Sequence, residues 1–228
     1  MDLYLGERDI YGPCMMRGSA STQVSIDYTS TADCPAQLRL AFRAGGRCVS
    51  LMCDNAPVFE GKPREHQLVR TDIWQHVDND RCGLVPDVLD PSFDLRRYAE
   101  YILDTVAILI PCQQQRWCYS DRTFGDIYAA RTMTRAEVEH AVSMFFTDVR
   151  LKTYIEIRPA DAMPIPYVIA YAALIKGLFY APTSLDAMDG LFATCGATTT
   201  WRRRTRSWSA ATKPRYTDDP SPSCATAS

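Results

Sequence analysis

Most of the signatures that tie a chain to a chemistry at sight are missing here. No GxSxG, HExxH or Cys–His signature occurs in the 228 residues, which argues against the common hydrolases. The stretch "EGKP", Glu60 to Pro63, lacks the GxxxxGK[ST] frame, so no phosphate-binding loop can be argued from it. There are only three histidines, His66, His76 and His140, and their spacing fits no metal motif. The nine cysteines are scattered without a CxxC pair, which leaves the usual zinc and disulfide-scaffold readings weak. They are expected to be free thiols, acting as small hydrophobes in a reducing compartment. No basic segment followed by an apolar run opens the chain, so no secretory signal is read and a cytoplasmic location is expected. The most apolar run, "IPYVIAYAALIKGLFYAP", carries Lys176 and two prolines, and reads as a buried helix rather than a membrane span. A net charge of −2 provides no bulk field to recruit nucleic acid or an anionic membrane.

Large aliphatic residues also run out before the chain does. From residue 193 to residue 228 there is no Val, Ile, Leu, Met or Phe, only a Thr-, Arg-, Ser-, Ala- and Pro-rich stretch with Trp201 and Trp208. Such a composition cannot bury a core, so 193–228 is expected to be a disordered polar and basic tail. A GC-rich gene read out of frame yields runs of this kind, and the tail is compatible with a frameshift product. "WRRRTR" offers a phosphate-binding reading, with a solvated tail as the commoner one. The folded unit is therefore expected at 1–192.

What is present is an irregular succession of strands and helices. "STQVSIDY" alternates: Thr22, Val24 and Ile26 face one way, Gln23, Ser25 and Asp27 the other. Ser30 with Asp33 caps a helix over "TADCPAQLRLAFRA", ended by Gly45–Gly46, and "RCVSLMCD" reads as a further strand. Asn55 to Pro91 is rich in Pro, Gly, Asp and Asn and shows no sustained period. Beyond it come a helix in "FDLRRYAEYILD" and a strand pair in "VAILIPC" and "QRWCYS". A short helix then starts at Thr123, and a capping box is formed by Thr134 and Glu137. Two more helices are expected, over about Pro166 to Phe179 and from "SLDAMDGLF". The opening "MDLYLGERDIYGPCMM" shows no element of its own. The order implies α+β with a mainly antiparallel sheet.

The clearest alternation is "VRLKTYIEIR". Leu151, Thr153, Ile155 and Ile157 face one side; Arg150, Lys152, Tyr154, Glu156 and Arg158 face the other. On pattern alone this is a ten-residue strand with a solvated face, the commoner reading, or a sheet lining an active site. In the second reading Glu156 suits a divalent cation and Arg158 a phosphate. Gln23 and Ser25 offer a second polar face. Arg70 in "RTDIW" is a bidentate grip for a carboxylate, with Trp74 as an apolar cover, against the plainer readings of a surface arginine and a core anchor.

Taken in order, "MMRGSASTQVSIDYTSTADC", "NAPVFEGKP", "RTDIWQHVDNDRCGLVP", "FDLRRYAEYILD" and "VRLKTYIEIRPAD" resemble the glutamate–cysteine ligase family of plant and bacterial type. The likeness spans about Met15 to Phe192. It implies a glutamine-synthetase-like fold in which a curved antiparallel sheet forms a cup. It also implies the reaction: ATP phosphorylates the γ-carboxylate of glutamate, and the amine of cysteine attacks the acyl phosphate. By position the resemblance makes Glu156 a Mg²⁺ ligand, and Arg158 and Lys152 catalytic cations. Gln23, Ser25, Arg70 and Trp74 become substrate contacts, Arg70 on the glutamate α-carboxylate. The family carries an additional segment before the "MM…TQV" strand and a folded region after the helices, so the cup is expected to be incomplete. Glutamate, cysteine and Mg·ATP are the expected ligands; nucleic acid and membrane are not.

Overall fold

The computed structural model describes residues 1–9, 11–47, 58–63, 69–112 and 116–194. In chain order the first elements are α1 (Asp2–Gly6), α2 (Gly12–Gly18), β1 (Val24–Ile26), α3 (Cys34–Arg47), β2 (Val58–Phe59), β3 (Lys62–Pro63), α4 (Val69–Gln75) and β4 (Cys82–Gly83). There follow α5 (Leu95–Asp104), β5 (Leu109–Pro111), β6 (Trp117–Tyr119), α6 (Phe124–Tyr128), α7 (Arg135–Ser143), β7 (Phe146–Thr147), β8 (Val149–Leu151), β9 (Ile155–Ile157), α8 (Ile165–Tyr180) and α9 (Pro182–Thr194).

The helix starts follow local chemistry. Asp94 accepts from the Arg97 N–H at 2.9 Å to open α5, and Thr123 from Asp126 N at 3.1 Å to open α6. At α7 the Thr134 and Glu137 side chains cap each other's backbone N–H groups in the expected box. Ahead of α3, Ser30 Oγ accepts from Asp33 N at 3.1 Å while the Asp33 carboxylate takes the Thr29 N–H. The glycines at 45 and 46 do not end this helix, which continues to Arg47.

β1, β9 and β8 form an antiparallel sheet in that order. Its apolar side, Ile26, Val149, Ile155 and Ile157, is fully buried in a core shared with Leu38 and Phe42 of α3 and Tyr171 and Ile175 of α8. α3 packs on β8 and β9, and α8 lies beside β1, where the Tyr180 hydroxyl accepts from Asp27 N at 3.0 Å. A smaller cluster of Leu5, Met15, Ile73 and Val77 joins α1, α2 and α4. It is pinned by a buried polar knot. Arg81 donates to Asp78 at 2.8 Å, to the Tyr4 hydroxyl at 3.2 Å and to Val106 O at 2.8 Å, and Tyr4 donates to Asp78 at 3.0 Å. Burial, aided by Asp78, pushes the Tyr4 phenol up to about 12.

Several expectations are corrected. "VRLKTYIEIR" is a hairpin, not one strand: β8 and β9 pair antiparallel with Leu151 opposite Ile155, and residues 152–154 turn the chain. The turn is held by Tyr98, whose hydroxyl accepts from Leu151 N at 3.1 Å, and by Tyr28, which donates to Lys152 O at 3.3 Å. The irregular segment holds a β2–β3 hairpin and the helix α4, and the opening residues form α1 and α2. α+β holds, but among the described residues there is no single curved sheet. One three-stranded sheet stands with three two-stranded pairs, and β4 runs parallel to β7. The described strands are two or three residues long. Cys112 and Cys118 are not free thiols: pairing of β5 with β6 brings their Cα atoms to 5.9 Å and they are joined in a disulfide. The strand expected in "RCVSLMCD" (from residue 48) and the tail beyond residue 194 lie outside the described residues.

Candidate active site

The register across the sheet decides what the polar side of the hairpin presents. Glu156 stands opposite Ser25 of β1 on one flank and Arg150 of β8 on the other. A solvated face would leave these charges in water, yet Glu156 and Arg158 are each only 8 % exposed. Arg150 donates to Glu156 Oε2 from Nε at 2.8 Å, with its Nη2 2.7 Å from the same oxygen in an ion pair, and Arg158 Nη1 donates to that oxygen at 3.0 Å. Lys152 Nζ lies 3.7 Å from Oε1. One buried carboxylate is thus ringed by three cations. Burial alone would raise the Glu156 carboxyl, but Arg150, Arg158 and Lys152 outweigh it and hold it below the ordinary carboxylate range. The Arg158 guanidinium is shifted down, first by burial and then by repulsion from Arg150.

Beyond Arg158 the chain runs past a second group. Arg70 Nη1 donates to Pro159 O at 3.4 Å, which sets it at the end of the same strand. Arg70 and Trp74 are four apart on α4, the spacing that places two side chains on one helix face, and the guanidinium carbon lies 5.5 Å from the indole centre. Burial, then repulsion from Arg158, lowers the Arg70 guanidinium, while Asp161 opposes the shift. Arg70 Nε is buried without a partner. Arg70 and Asp161 line a cleft of about 270 Å³ with Ser19, Phe59, Val69 and Ile73. A cleft lined by one cation, one carboxylate and mostly apolar side chains suits a ligand with a charged end and an aliphatic stem.

The fold therefore brings Arg150, Lys152, Glu156 and Arg158 together and sets Arg70 next along the strand. Ser25 shares their row but is exposed. Gln23 is exposed at the edge of β1, its amide donating to Ser21 Oγ at 3.1 Å. Trp74 packs against Phe146 with ring centres 5.6 Å apart, in the smaller core cluster, and is not among the residues lining the cleft. Arg150 and Asp161 carry no assigned role in the sequence reading. The signal for Arg150 was its place in the alternation; nothing local marks Asp161, which reaches the cleft by bridging to Ser21.

Mg²⁺ is commonly held through one or two carboxylates completed by substrate phosphates and water. Glu156 fits as one such ligand. Its Oε2 already accepts N–H groups from Arg150 and Arg158, whereas Oε1 has Lys152 Nζ beside it at 3.7 Å and no arginine donor. Among the described residues no group of three or more His, Cys, Asp or Glu side chains is arranged to hold a metal. His140, mid-helix, is structural: its Nε2–H donates to Leu109 O at 2.8 Å and its ring stacks on Trp117.

A family model described as Glutamate-cysteine ligase family 2 (GCS2) matches residues 1–221. Among curated relatives, the chain is 29 % identical over 192 residues to "Glutamate--cysteine ligase, chloroplastic" of Nicotiana tabacum, covering 81 % of this chain and 37 % of that protein. It is 30 % identical to the protein of the same name from Arabidopsis thaliana, over 83 % of this chain and 38 % of the relative. It is 28 % identical to "Glutamate--cysteine ligase B, chloroplastic" of Oryza sativa subsp. japonica, over 82 % and 39 %. The chain thus spans less than two fifths of the length of the curated relatives it matches. No helix among the described residues is long and apolar enough to cross a membrane.

Proposed function

This chain belongs to glutamate–cysteine ligase family 2, and from that premise we propose that its β8–β9 hairpin is the phosphoryl-handling part of an ATP- and Mg²⁺-dependent glutamate–cysteine ligase. The observation that carries the reading is the burial of Glu156 among Arg150, Lys152 and Arg158 on the polar side of the sheet. Structural ion pairs gain little from such burial, because desolvation offsets much of the attraction. A cluster with three positive groups and one negative group is instead matched to an anion such as a triphosphate.

In this reading Arg158 and Lys152 neutralise the oxygens of the transferring phosphoryl group, and Glu156 offers Oε1 to Mg²⁺. The metal supplies charge neutralisation at the phosphates. Arg70 takes the α-carboxylate of glutamate, with Asp161 beside it for the ammonium group and the apolar lining for the stem. Trp74 acts behind Arg70, stacking on the guanidinium and limiting its movement. Gln23 and Ser25 edge the pocket from β1. Phosphorylation of the γ-carboxylate gives an acyl phosphate, and attack by the cysteine amine forms the amide and releases phosphate. Work of this kind is mostly positioning and charge compensation, which is what a rigid sheet face provides. The reading keeps the reaction in the cytoplasm and assigns no nucleic-acid or membrane partner.

The compensation of the Glu156 carboxylate by Arg150 and Arg158 favours a second reading: a chain that binds nucleotide or amino acid without turnover. Purified chain incubated with ATP, Mg²⁺, glutamate and cysteine is assayed for γ-glutamylcysteine and ADP, alongside calorimetry with each ligand. Turnover lost by orders of magnitude in Glu156→Gln and Arg158→Ala supports the ligase site. Heat of binding without product supports the second reading. Turnover unchanged in both variants ends the assignment of this face.

A further inference from the structure

Glu156 is offered to a cation from inside a ring of cations, and the ring has an order. Arg150 Nε and Arg158 Nη1 both donate to Oε2, with Arg150 Nη2 a further 2.7 Å ion-pair contact on the same oxygen. Among the described residues, the other hydrogen bond of Arg150 goes to the Phe145 carbonyl, at 3.3 Å. The two charges nearly share one place: the Arg150 and Glu156 side chains are 12 % and 10 % exposed, so water screens them weakly. A divalent cation brought to Oε1 would meet Arg150, Arg158 and Lys152 at once.

We propose that Arg150 is a gating counter-ion: it makes cation binding at Glu156 conditional on an anion that draws the guanidinium away. The inference rests on the ligase reading of this face and adds to it a residue and an order of events. While Arg150 lies on Oε2, the carboxylate is already neutralised and free cation is repelled. An anion with several oxygens offers Arg150 a bidentate partner, so the carboxylate is released as the anion is gripped. The cluster thereby selects a metal–phosphate pair over either ion alone. Loss of Arg150 also removes an orienting contact on Oε2, but that is the smaller effect. Removing a unit positive charge this close to a divalent cation is worth at least about tenfold in the cation's affinity, against a few-fold for one orienting hydrogen bond.

The test is Mn²⁺ binding to the full chain, followed by electron paramagnetic resonance with and without inorganic phosphate. Free Mn²⁺ is expected to bind the unaltered chain weakly and at least about fivefold more tightly with phosphate present. Arg150→Met is expected to bind Mn²⁺ about tenfold or more tightly than the unaltered chain, with little further gain from phosphate, and Arg150→Lys to stay within about threefold of it. Equal affinity in Arg150→Met and the unaltered chain, or no Mn²⁺ binding in either, overturns the proposal. Should Arg150→Met not fold, the phosphate titration of the unaltered chain decides alone, and affinity unmoved by phosphate overturns it. Glu156→Gln separates the two levels. Mn²⁺ binding that survives this change removes the metal-ligand reading underneath; binding lost there with no gain in Arg150→Met removes only the gate.

Discussion

Replacing Glu156 with glutamine keeps the shape of the side chain and removes its charge. Arg150, Arg158 and Lys152 would then face one another around a neutral amide whose NH₂ group cannot accept their protons. Removing one partner of a buried ion pair costs about 3–5 kcal/mol. Lys152, a third exposed, loses little because water takes over its solvation, whereas Arg150 and Arg158 cannot leave easily. We expect a loss near the lower end, about 3 kcal/mol. In a folded unit of this size that is a fall in melting temperature of roughly 6–12 °C, read by near-ultraviolet circular dichroism. The sign with pH follows from the carboxyl being held below its ordinary range. Its stabilising contribution is complete above the unfolded carboxyl value of about 4.3 and is lost as pH falls through the lower folded value. The gap between the unaltered chain and Glu156→Gln should therefore be widest near neutrality and close in acid. Adding Arg150→Met to Glu156→Gln should recover part of the loss, since the two residues are coupled. A melting temperature within about 2 °C of the unaltered chain, or a gap that does not narrow in acid, would refute the buried-cluster argument.

Three further perturbations probe the scaffold. Tyr4→Phe removes the hydroxyl that joins Asp78 and Arg81, and should lower the unfolding free energy by about 1–2 kcal/mol, read as a lower urea midpoint with the slope unchanged. In Gly12→Ala the new Cβ would overlap the Leu5 carbonyl oxygen. The packing of α1 on α2 should loosen, seen as faster proteolytic nicking near residue 11; protection equal to that of the unaltered chain would count against the packing described. Thr134→Ala removes the α7 cap and should cost about 1 kcal/mol in thermal unfolding, while Thr134→Ser should be nearly neutral.

The caps show how much of the fold was legible in the chain. Thr123, Thr134 and Glu137 mark helix starts because the interaction is made within three residues, and the structure places helices there. The β5–β6 pair was legible for a similar reason, as two short apolar runs close in sequence. Its consequence, the Cys112–Cys118 bond, was not. Scattered cysteines say nothing of distance until strand pairing sets it. α4 was hidden because a seven-residue helix has too few turns to show a period against the polar background of its neighbours.

The polar row around Glu156 divides the two sources of information most sharply. Alternation alone put Arg150, Lys152, Glu156 and Arg158 on one side and the isoleucines on the other, and that survives in the folded chain. It survives because the turn keeps parity: Leu151 pairs with Ile155 and Arg150 with Glu156, so even-numbered residues stay on one face after the chain reverses. For the same reason the turn left no trace in the pattern, and "KTY" contains no Gly, Pro, Asn or Asp to announce it. Only the tertiary structure, with Tyr98 and Tyr28 holding the turn and β1 closing the other edge, brings Arg150 across to Glu156. The sequence by itself determined which residues share a face, since that depends on backbone geometry between neighbours. Which of them touch, and how far from water, was decided by strand pairing and packing between segments distant along the chain.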